Sequence, residues 1–282
     1  MKHNRIFSYL MITLVYLLAI VVGVVVYNSL HFHFAVNLLI ADVVATIVVF
    51  FFSLVFQNAS VYDPYWSVQP LVIVFLFFLQ SSKGIVESIP LIIISLWGVR
   101  LTLNWAYTFK NLYHIDWRYR MLKEKTKVFY PIINLLGIHL FPTLVVYLCI
   151  LPVVWLLKSS GDFSVLTVIC GLIGLAAIVI QGLADVQMHQ FRKRKTDGFI
   201  RDGLWKYSRH PNYLGEIIIW WAMGLLSVLA LKGHVYLLAG AVVNTLMFLF
   251  VSIPMAEKNQ AKRKIGFSEY KKKTRMLLPI KK

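Results

Sequence analysis

The chain has 282 residues, of which 59% are hydrophobic and 15% are charged, and its mean hydropathy is +0.71. A soluble domain is roughly half apolar and about a quarter charged, so this composition excludes a soluble globular protein and indicates an integral membrane protein. The formal net charge of +17 is attributed to membrane orientation and attraction to anionic lipids, and no nucleic-acid partner is expected. Two cysteines, Cys149 and Cys170, lie in apolar runs and argue against a disulfide framework or a zinc site.

Apolar runs predict eight membrane-spanning helices, each near the roughly 20 residues that cross a bilayer. Their ranges are 6–28, 34–57, 68–82, 85–108, 131–157, 163–190, 213–231 and 234–256. The first run is too long for the core of a signal peptide and is interpreted as a retained helix. Lys83 and Gly84 predict a tight hairpin after the third span, and Pro142 and Pro152 predict kinks in the fifth. The predicted fold class is therefore an all-α polytopic helix bundle, with seven spans as the alternative.

Basic residues predict how the chain is oriented. With a cytoplasmic N-terminus, the loops 58–67, 109–130 and 191–212 and the tail 257–282 face the cytoplasm, and they hold most lysines and arginines, including the run from Arg192 to Lys195. The opposite loops hold only Lys83, Lys158 and Lys232. This positive-inside asymmetry predicts an even number of spans with both termini in the cytoplasm. Residues 1–282 are expected to form a single membrane domain in a monomeric protein of a bacterial inner membrane.

Polar side chains recur at helical spacing in three of the spans. The three sets are Trp97, Arg100 and Asn104; Gln181, Asp185, His189 and Arg192; and Asn212, Glu216 and Trp220. Charged groups inside a bilayer are costly and usually face a bundle interior or a wet cavity, so each set predicts a functional site on the cytoplasmic side. Asp42, Glu87 and His139 are interpreted as structural residues.

The residues near the sixth and seventh spans favour a nucleotide site. Arg192, Arg209, His210 and Asn212 occur close to Asp185, Glu216, Tyr207 and Trp220. The guanidinium fork of arginine suits phosphate, and a carboxylate accepts hydrogen bonds from ribose hydroxyls. The pattern predicts a pocket for a phosphorylated or nucleotide cofactor from the cytosol, next to apolar helices through which a lipid-soluble substrate arrives. No cluster with metal-ligand spacing is present in the sequence.

Several segments resemble the steroid 5-alpha-reductase superfamily, in particular its bacterial steroid-reductase-like branch. The most specific are SRHPNYLGEIIIW, QGLADVQMHQFR, DGLWKYSRHPNY and FSEYKKKTRMLLP, and the weaker ones are DPYWSVQP and WGVRLTLN. The resemblance implies that a reduced nicotinamide dinucleotide, NADPH, binds mainly to residues 163–282 and gives a hydride to the carbon–carbon double bond of an enone lipid or steroid. The strongest match covers about the last hundred residues of the chain.

The resemblance also implies individual roles. Asp63, Trp97 and Glu216 are expected at the reaction centre, with Asp63 as a protonated carboxyl group that holds the substrate carbonyl. The expected cofactor-binding residues are Asn104, Gln181, Asp185, Arg192, Tyr207, Arg209, His210, Asn212, Trp220, Glu257 and Tyr270. Trp97 and Asn104 stand where the family has tyrosines, and Tyr62 or Tyr65 is a candidate proton donor.

A second resemblance leaves the reaction open. Arg-His-Pro-x-Tyr-x-Gly, with Glu257 and the IGFSEY segment in the tail, is similar to isoprenylcysteine and phospholipid methyltransferases, which use S-adenosylmethionine. The methyltransferase interpretation gives no role to Gln181, Asp185 and Arg192. The reductase is therefore the preferred hypothesis and the methyltransferase the alternative.

Overall fold

The computed structural model describes residues 4–194 and 198–278, so Lys195 and Pro279 lie outside the described residues. The α-helices are α1 (Arg5–Ser29), α2 (Phe34–Val55), α3 (Tyr65–Leu79), α4 (Ile85–Thr108), α5 (Trp117–Thr126), α6 (Tyr130–Ile133), α7 (Phe141–Ser159), α8 (Val165–Lys193), α9 (Pro211–Ala230), α10 (Ala239–Met247), α11 (Ile253–Arg263) and α12 (Phe267–Lys273). Within the described ranges the only β-type pairing is an isolated bridge between Ser208 and Arg275. The all-α fold class is confirmed.

Eight helical segments of the described chain are long and apolar enough to cross a membrane, as the sequence predicted. They are Arg5–Ser29, Phe34–Val55, Ala59–Leu79, Ile85–Thr108, Trp117–Ser159, Val165–Lys193, Pro211–Ala230 and Val235–Arg263. The third begins earlier than expected because a 3₁₀ turn, Ala59–Tyr62, precedes α3. The fifth begins earlier because the polar helix α5 leads into it through a second 3₁₀ turn. The protein is thus an integral, multi-pass membrane protein.

Exposed apolar side chains on α1 fit this assignment. Leu10, Leu14 and Leu17 are 54–59% exposed, whereas Ser8 and Tyr16 of the same helix are buried. In water such a surface would be costly, since each Å² of apolar area in contact with water costs about 25 cal/mol. Lipid tails remove that cost, so these leucines can face outwards while the polar side chains of Ser8 and Tyr16 lie inside.

The described chain divides into two compact units. Unit 1 consists of Met1–Leu76 and Trp97–Leu151, and unit 2 consists of Phe77–Leu96 and Pro152–Lys282. In unit 1 the core is formed by Ile12, Val15, Tyr16 and Ala19 of α1, Ala45 and Val49 of α2, and Val61, Tyr62, Tyr65, Phe109 and Leu112. In unit 2, α8 packs closely on α9. The single membrane domain over 1–282 stays a prediction.

Two π-helical segments each lead into a helix that has a proline as its second residue. Asn134–Leu140 precedes Pro142 in α7, and Phe248–Ser252 precedes Pro254 in α11. Proline lacks an N–H group, and its ring clashes with the carbonyl group four residues before it. A wider helical turn at that point accommodates the ring, so the positions of these segments follow from the prolines.

The hairpin expected at Lys83 and Gly84 is confirmed, because α3 ends at Leu79 and α4 begins at Ile85. Lys83 has a positive φ of 57°, which belongs to the tight reversal.

The orientation with cytoplasmic termini is tested by single cysteines at Ser82, in this hairpin, and Ser268, in α12, both of which are exposed. The measurement is labelling by a membrane-impermeant maleimide in intact and permeabilised cells. Ser82→Cys is expected to react in intact cells and Ser268→Cys only after permeabilisation, because the basic tail stays on the cytoplasmic side. Labelling of both from the same side would contradict the orientation.

Candidate active site

The crossing of α8 and α9 in unit 2 depends on Gly215. A Cβ atom at this position would lie 2.4 Å from Gln181 Cγ and 2.8 Å from the carbonyl oxygen of Ala177. On the α8 side, a Cβ atom at Gly174 would lie 3.2 Å from Met223 Cε of α9. These glycines let the two backbones approach closely, as small residues do between membrane helices. The close approach brings the polar residues of α8 and α9 within hydrogen-bonding distance.

A buried hydrogen-bonded group lies on this crossing. Gln181 Nε2 donates to Glu216 Oε2 at 2.8 Å, and Trp220 Nε1 donates to Glu216 Oε1 at 2.9 Å. The exposed fractions of Gln181, Glu216 and Trp220 are 1%, 6% and 2%. Gln181 Nε2 also reaches the backbone oxygen of Asn212 at 3.3 Å. The structure therefore joins residues that the sequence placed on two separate helix faces.

Asn212 adds an open acceptor to this group, which we call the seam group (Gln181, Asn212, Glu216 and Trp220). Its side-chain oxygen, Oδ1, is buried and makes no hydrogen bond. A buried polar atom is normally paired, so a donor from a bound molecule would stabilise this position.

The C-terminal end of α8 carries the other residues predicted from spacing. Asp185 is half-buried and Arg192 is exposed. The 3₁₀ turn Gly203–Lys206 docks on α8 beside them, because Leu204 N donates to Gln187 Oε1 at 2.9 Å and Trp205 Nε1 donates to the Ala184 oxygen at 3.2 Å. Gly203 has a φ of +56°, and a Cβ atom there would collide with Gln187. The loop that follows α8 is thus held against the helix.

A second polar group, which we call the clamp, ties the Arg-His-Pro segment to the tail. Glu257 of α11 contacts Arg209 Nε at 2.7 Å, His210 Nε2 at 3.2 Å and Lys271 Nζ at 2.7 Å. Arg209 Nη1 also donates to the backbone oxygens of Lys271, at 3.1 Å, and Thr274. Arg209 and Glu257 are 8% and 5% exposed. The predicted cofactor residues Arg209, His210 and Glu257 therefore bind one another.

Tyr270 is a buried residue close to the clamp, whereas Tyr207 lies at the surface. The Tyr270 hydroxyl donates to the backbone oxygen of Trp205. Burial raises the pKa of Tyr270 to about 12, although the nearby Arg209 and Arg201 oppose the shift. The phenol therefore stays protonated at neutral pH and remains a donor. Tyr207 is 49% exposed.

In unit 1, Asp63 pairs with Tyr119, a contact that the sequence did not predict. The Tyr119 hydroxyl donates to Asp63 Oδ1 at 2.5 Å, and Arg118 Nη2 lies 3.6 Å from the same oxygen. Asp116 caps the N-terminus of α5 by accepting from Arg118 N at 2.9 Å, and its Oδ1 also accepts from Arg118 Nε at 2.8 Å. This cap positions Arg118 and Tyr119. The local signal was an aspartate directly before an aromatic and basic run, which is typical of a helix start.

The other predicted residues of unit 1 lie on α4. Trp97 is completely buried and its ring centroid lies 6.1 Å from that of Trp66. Asn104 is half-buried, one helical turn before Thr108, whose hydroxyl donates to the Asn104 backbone oxygen at 3.2 Å. Tyr62 and Tyr65, the candidate proton donors, are buried, and Tyr62 is bonded to Thr143 at 2.8 Å.

Gly215→Ala is expected to destabilise the protein, because the new methyl group overlaps Gln181 and the Ala177 oxygen and overpacking typically costs about 1–3 kcal/mol. Thermal unfolding in detergent, followed by size-exclusion chromatography, measures the effect. Gly23→Ala is the control, since a Cβ atom there meets its nearest neighbour at an ordinary 3.4 Å. An unchanged midpoint for Gly215→Ala would contradict the close crossing.

Three comparisons with known proteins complete the description. A family model described as "Protein of unknown function (DUF1295)" matches residues 49–274. "Uncharacterized protein C594.04c" of Schizosaccharomyces pombe is 26% identical over 204 residues, which are 62% of this chain and 59% of that protein. No solved structure matches the chain. Because the family model covers most of the chain, including the seam group, the clamp and the Asp63 pair, the protein belongs to the DUF1295 family.

Proposed function

We propose that this protein is a membrane-embedded, NADPH-dependent reductase that saturates the carbon–carbon double bond of an enone lipid or steroid-like substrate. In the reaction a hydride adds to the β carbon of the enone, a proton adds to the α carbon, and the dinucleotide is oxidised. The resemblance to steroid 5-alpha-reductases motivates the choice of reaction. The protein would bind the cofactor from the cytoplasm and take its substrate from the bilayer.

The observation that carries the proposal is the seam group. A buried carboxylate, an amide and an indole converge on the crossing of α8 and α9, and Asn212 Oδ1 is buried without a partner. An acceptor of this kind fits a donor such as a carboxamide N–H or a ribose hydroxyl. The residues present therefore fit the cofactor, which when bound would supply the hydride.

Arg192 is assigned to the phosphates. It lies at the cytoplasmic end of α8, about three turns beyond Gln181, where an extended nucleotide held by the seam group would reach it. Arginine binds phosphate through paired donors. The extra phosphate of NADPH then gives a reason to prefer NADPH over NADH.

In unit 1 the proposal gives Asp63 and Tyr119 the handling of a proton. The hydrogen bond from the Tyr119 hydroxyl to Asp63 Oδ1 supports this role, because it joins a donor and an acceptor between which a proton can pass. Arg118, 3.6 Å from the same oxygen, orients the carboxyl group. Trp97 then acts as a buried packing residue beside Trp66 and not as a proton donor.

The alternative is an S-adenosylmethionine-dependent membrane methyltransferase, and the clamp favours it. The clamp joins Arg209 and His210 to Glu257, and these residues carry the resemblance to the methyltransferases. The seam group has no role in that interpretation, so the reductase remains preferred.

Titration of the purified protein in lipid nanodiscs with NADPH, NADH and S-adenosylmethionine separates the reductase from the methyltransferase. Tight binding of S-adenosylmethionine with no binding of either dinucleotide would reject the reductase.

Arg192→Ala is expected to weaken NADPH binding about tenfold, roughly the 1.4 kcal/mol of one charge-assisted hydrogen bond. The effect on NADH should be smaller, since NADH lacks the extra phosphate. Fluorescence of the bound reduced nicotinamide measures both affinities.

Arg194→Ala is the matched control. Arg194 is also exposed at the end of α8, but it pairs with Asp202 at 3.3 Å on the surface. Equal losses of NADPH affinity in both variants would show that Arg192 contributes only general positive charge and does not bind a phosphate specifically.

A further inference from the structure

Unit 1 contains a group of buried polar atoms that make no hydrogen bond. Within the described chain, these atoms include both side-chain oxygens of Asp42, both polar atoms of the Gln69 amide, Asn134 Oδ1 and His139 Nε2. Asp42 of α2 is 4% exposed and Gln69 of α3 is 7% exposed. Leaving one such group unpaired costs about 1–3 kcal/mol, and more when it is charged. The concentration of these atoms in one region indicates that they serve a bound species.

Asp42 has no positively charged partner among the described residues. Among the described residues its carboxylate oxygens make no ion pair and no full hydrogen bond. Gln69 is the amide beside it and is near enough to interact weakly with the carboxylate, but the two side chains do not meet the distance and angle of a full hydrogen bond. The ionisable groups close enough for the Asp42 charge to act on are the phenols of Tyr62, Tyr65 and Tyr147. A carboxylate in this setting needs compensation from outside the chain.

Hydroxyl groups lie on the same face of α2 as Asp42 and on the residues that contact it there. Thr46, one helical turn after Asp42, shares a hydrogen bond with Thr143 at 3.0 Å, and Thr143 shares another with Tyr62 at 2.8 Å. His139 Nδ1 lies 3.0 Å from the backbone oxygen of Asn134 and must carry the proton of that bond. Its Nε2 is therefore an acceptor in the neutral ring. Acceptors thus outnumber donors among the unpaired atoms.

We propose that Asp42 and Gln69 form the centre of a binding site for a monovalent cation, with sodium as the probe. A proton would neutralise Asp42 but would satisfy only one acceptor, whereas a cation draws on several oxygens at once. Carboxylate, amide and hydroxyl oxygens are the ligands of hard cations. One carboxylate balances one positive charge, so a divalent ion would leave an excess charge in the hydrocarbon region. The proposal goes beyond the reductase function and does not depend on it.

The test is the thermal stability of the wild-type protein in nanodiscs, in sodium chloride and in choline chloride of equal ionic strength. Binding to the folded state raises the midpoint as the cation concentration exceeds its Kd. Sodium at tenfold its Kd is expected to raise the midpoint by about 2–4 °C, saturably, and choline is expected to have no such effect. An equal response to both salts would show charge screening and overturn the proposal.

Variants locate the effect. Asp42→Asn should abolish the sodium response, and Gln69→Leu should shift its midpoint to at least about tenfold higher sodium. Glu87→Gln is the control: Glu87 is also a buried acid, 2% exposed, but its Oε1 already accepts from Gly161 N at 3.1 Å, so its response should equal that of the wild type.

Two outcomes would reject the site. One is an undiminished sodium response in Asp42→Asn, and the other is a wild-type protein stabilised by acidification but not by sodium, which would assign Asp42 to a proton. If Asp42→Asn does not fold, equilibrium dialysis of the wild-type protein with radioactive sodium decides. One saturable site per chain supports the proposal, and no saturable binding overturns it.

Discussion

Replacing Glu257 by alanine is expected to destabilise the protein more strongly than Gly215→Ala does. The change removes the carboxylate that contacts Arg209 at 2.7 Å, Lys271 at 2.7 Å and His210 at 3.2 Å. Arg209 is 8% exposed, so its charge would remain buried without this counter-ion. Breaking a buried ion pair by removing one partner typically costs about 3–5 kcal/mol. For a chain of this size that corresponds to a loss of roughly 10 °C in the unfolding midpoint.

Thermal unfolding without any cofactor measures this effect. Glu269→Ala is the control, because Glu269 is an exposed acid in α12 of the same tail and should change the stability by about 0.5 kcal/mol or less. The double variant Arg209→Met, Glu257→Leu removes both buried charges, so it should be more stable than the sum of the single changes implies.

The single variant Glu257→Ala also separates a structural role of Glu257 from a role in cofactor binding. If the clamp is structural, Glu257→Ala lowers the stability of the cofactor-free protein. If Glu257 acts through a bound cofactor, as the resemblance implied, the cofactor-free protein keeps its midpoint and only cofactor affinity falls. An unchanged midpoint together with weaker binding would therefore reject the clamp as a stabilising contact.

Much of the fold follows from local patterns. Long apolar runs define the eight spanning segments, since a helix is the form in which a single segment satisfies its own backbone hydrogen bonds in lipid. The polar helix α5 was not predicted, because its sequence lacks the apolar run used to find spans. The start of the third spanning segment was predicted too late for a related reason. The turn before α3 contains polar residues that pack inside the protein and not against water.

The candidate site was predictable only within single helices. Spacing of four residues placed Glu216 and Trp220 on one face, and they form a hydrogen bond. The partners from other segments were not predictable: Arg209 lies 48 residues from Glu257, and Asp63 lies 56 residues from Tyr119. Such pairs depend on how helices pack, which in unit 2 is controlled by the absence of a side chain at Gly215. Local periodicity contains no information about that choice of partner.

Glu216→Gln is expected to leave the fold intact and to lower the turnover of an enone lipid at least about tenfold, roughly 1.4 kcal/mol of activation free energy. The helix crossing is maintained by Gly215 and apolar contacts, and relieving the cost of a buried negative charge offsets part of the cost of a lost hydrogen bond. Turnover is measured as oxidation of NADPH that depends on the enone. Affinity for NADPH is measured separately, because the seam group is assigned to the cofactor.

The loss of turnover is expected because a glutamine at position 216 has one acceptor oxygen for the two donors, Gln181 and Trp220. Glu216 Oε2 accepts from Gln181 Nε2 at 2.8 Å, and Glu216 Oε1 accepts from Trp220 Nε1 at 2.9 Å. A glutamine at 216 has one acceptor oxygen, so its amide N–H₂ would face one of these donors. The hydrogen bond on that side is lost, and Gln181, which also reaches the Asn212 backbone, must turn away. Ser227→Ala is the control, since Ser227 is a buried residue of α9 whose hydroxyl donates to the backbone oxygen of Met223 in its own helix.

The double variant Gln181→Glu, Glu216→Gln decides whether hydrogen bonding or charge matters. In this variant the new amide at 216 accepts from Trp220 and donates to the new carboxylate at 181. The two hydrogen bonds of residue 216 therefore return and the negative charge moves to α8, while the weaker bond from residue 181 to the Asn212 oxygen is lost. We expect the exchange to restore the geometry of the crossing but not turnover, because the proposal places the carboxylate of residue 216 against the reacting end of the cofactor. Wild-type turnover in the exchanged variant, or in Glu216→Gln alone, would make Glu216 a packing residue and move the reaction centre elsewhere.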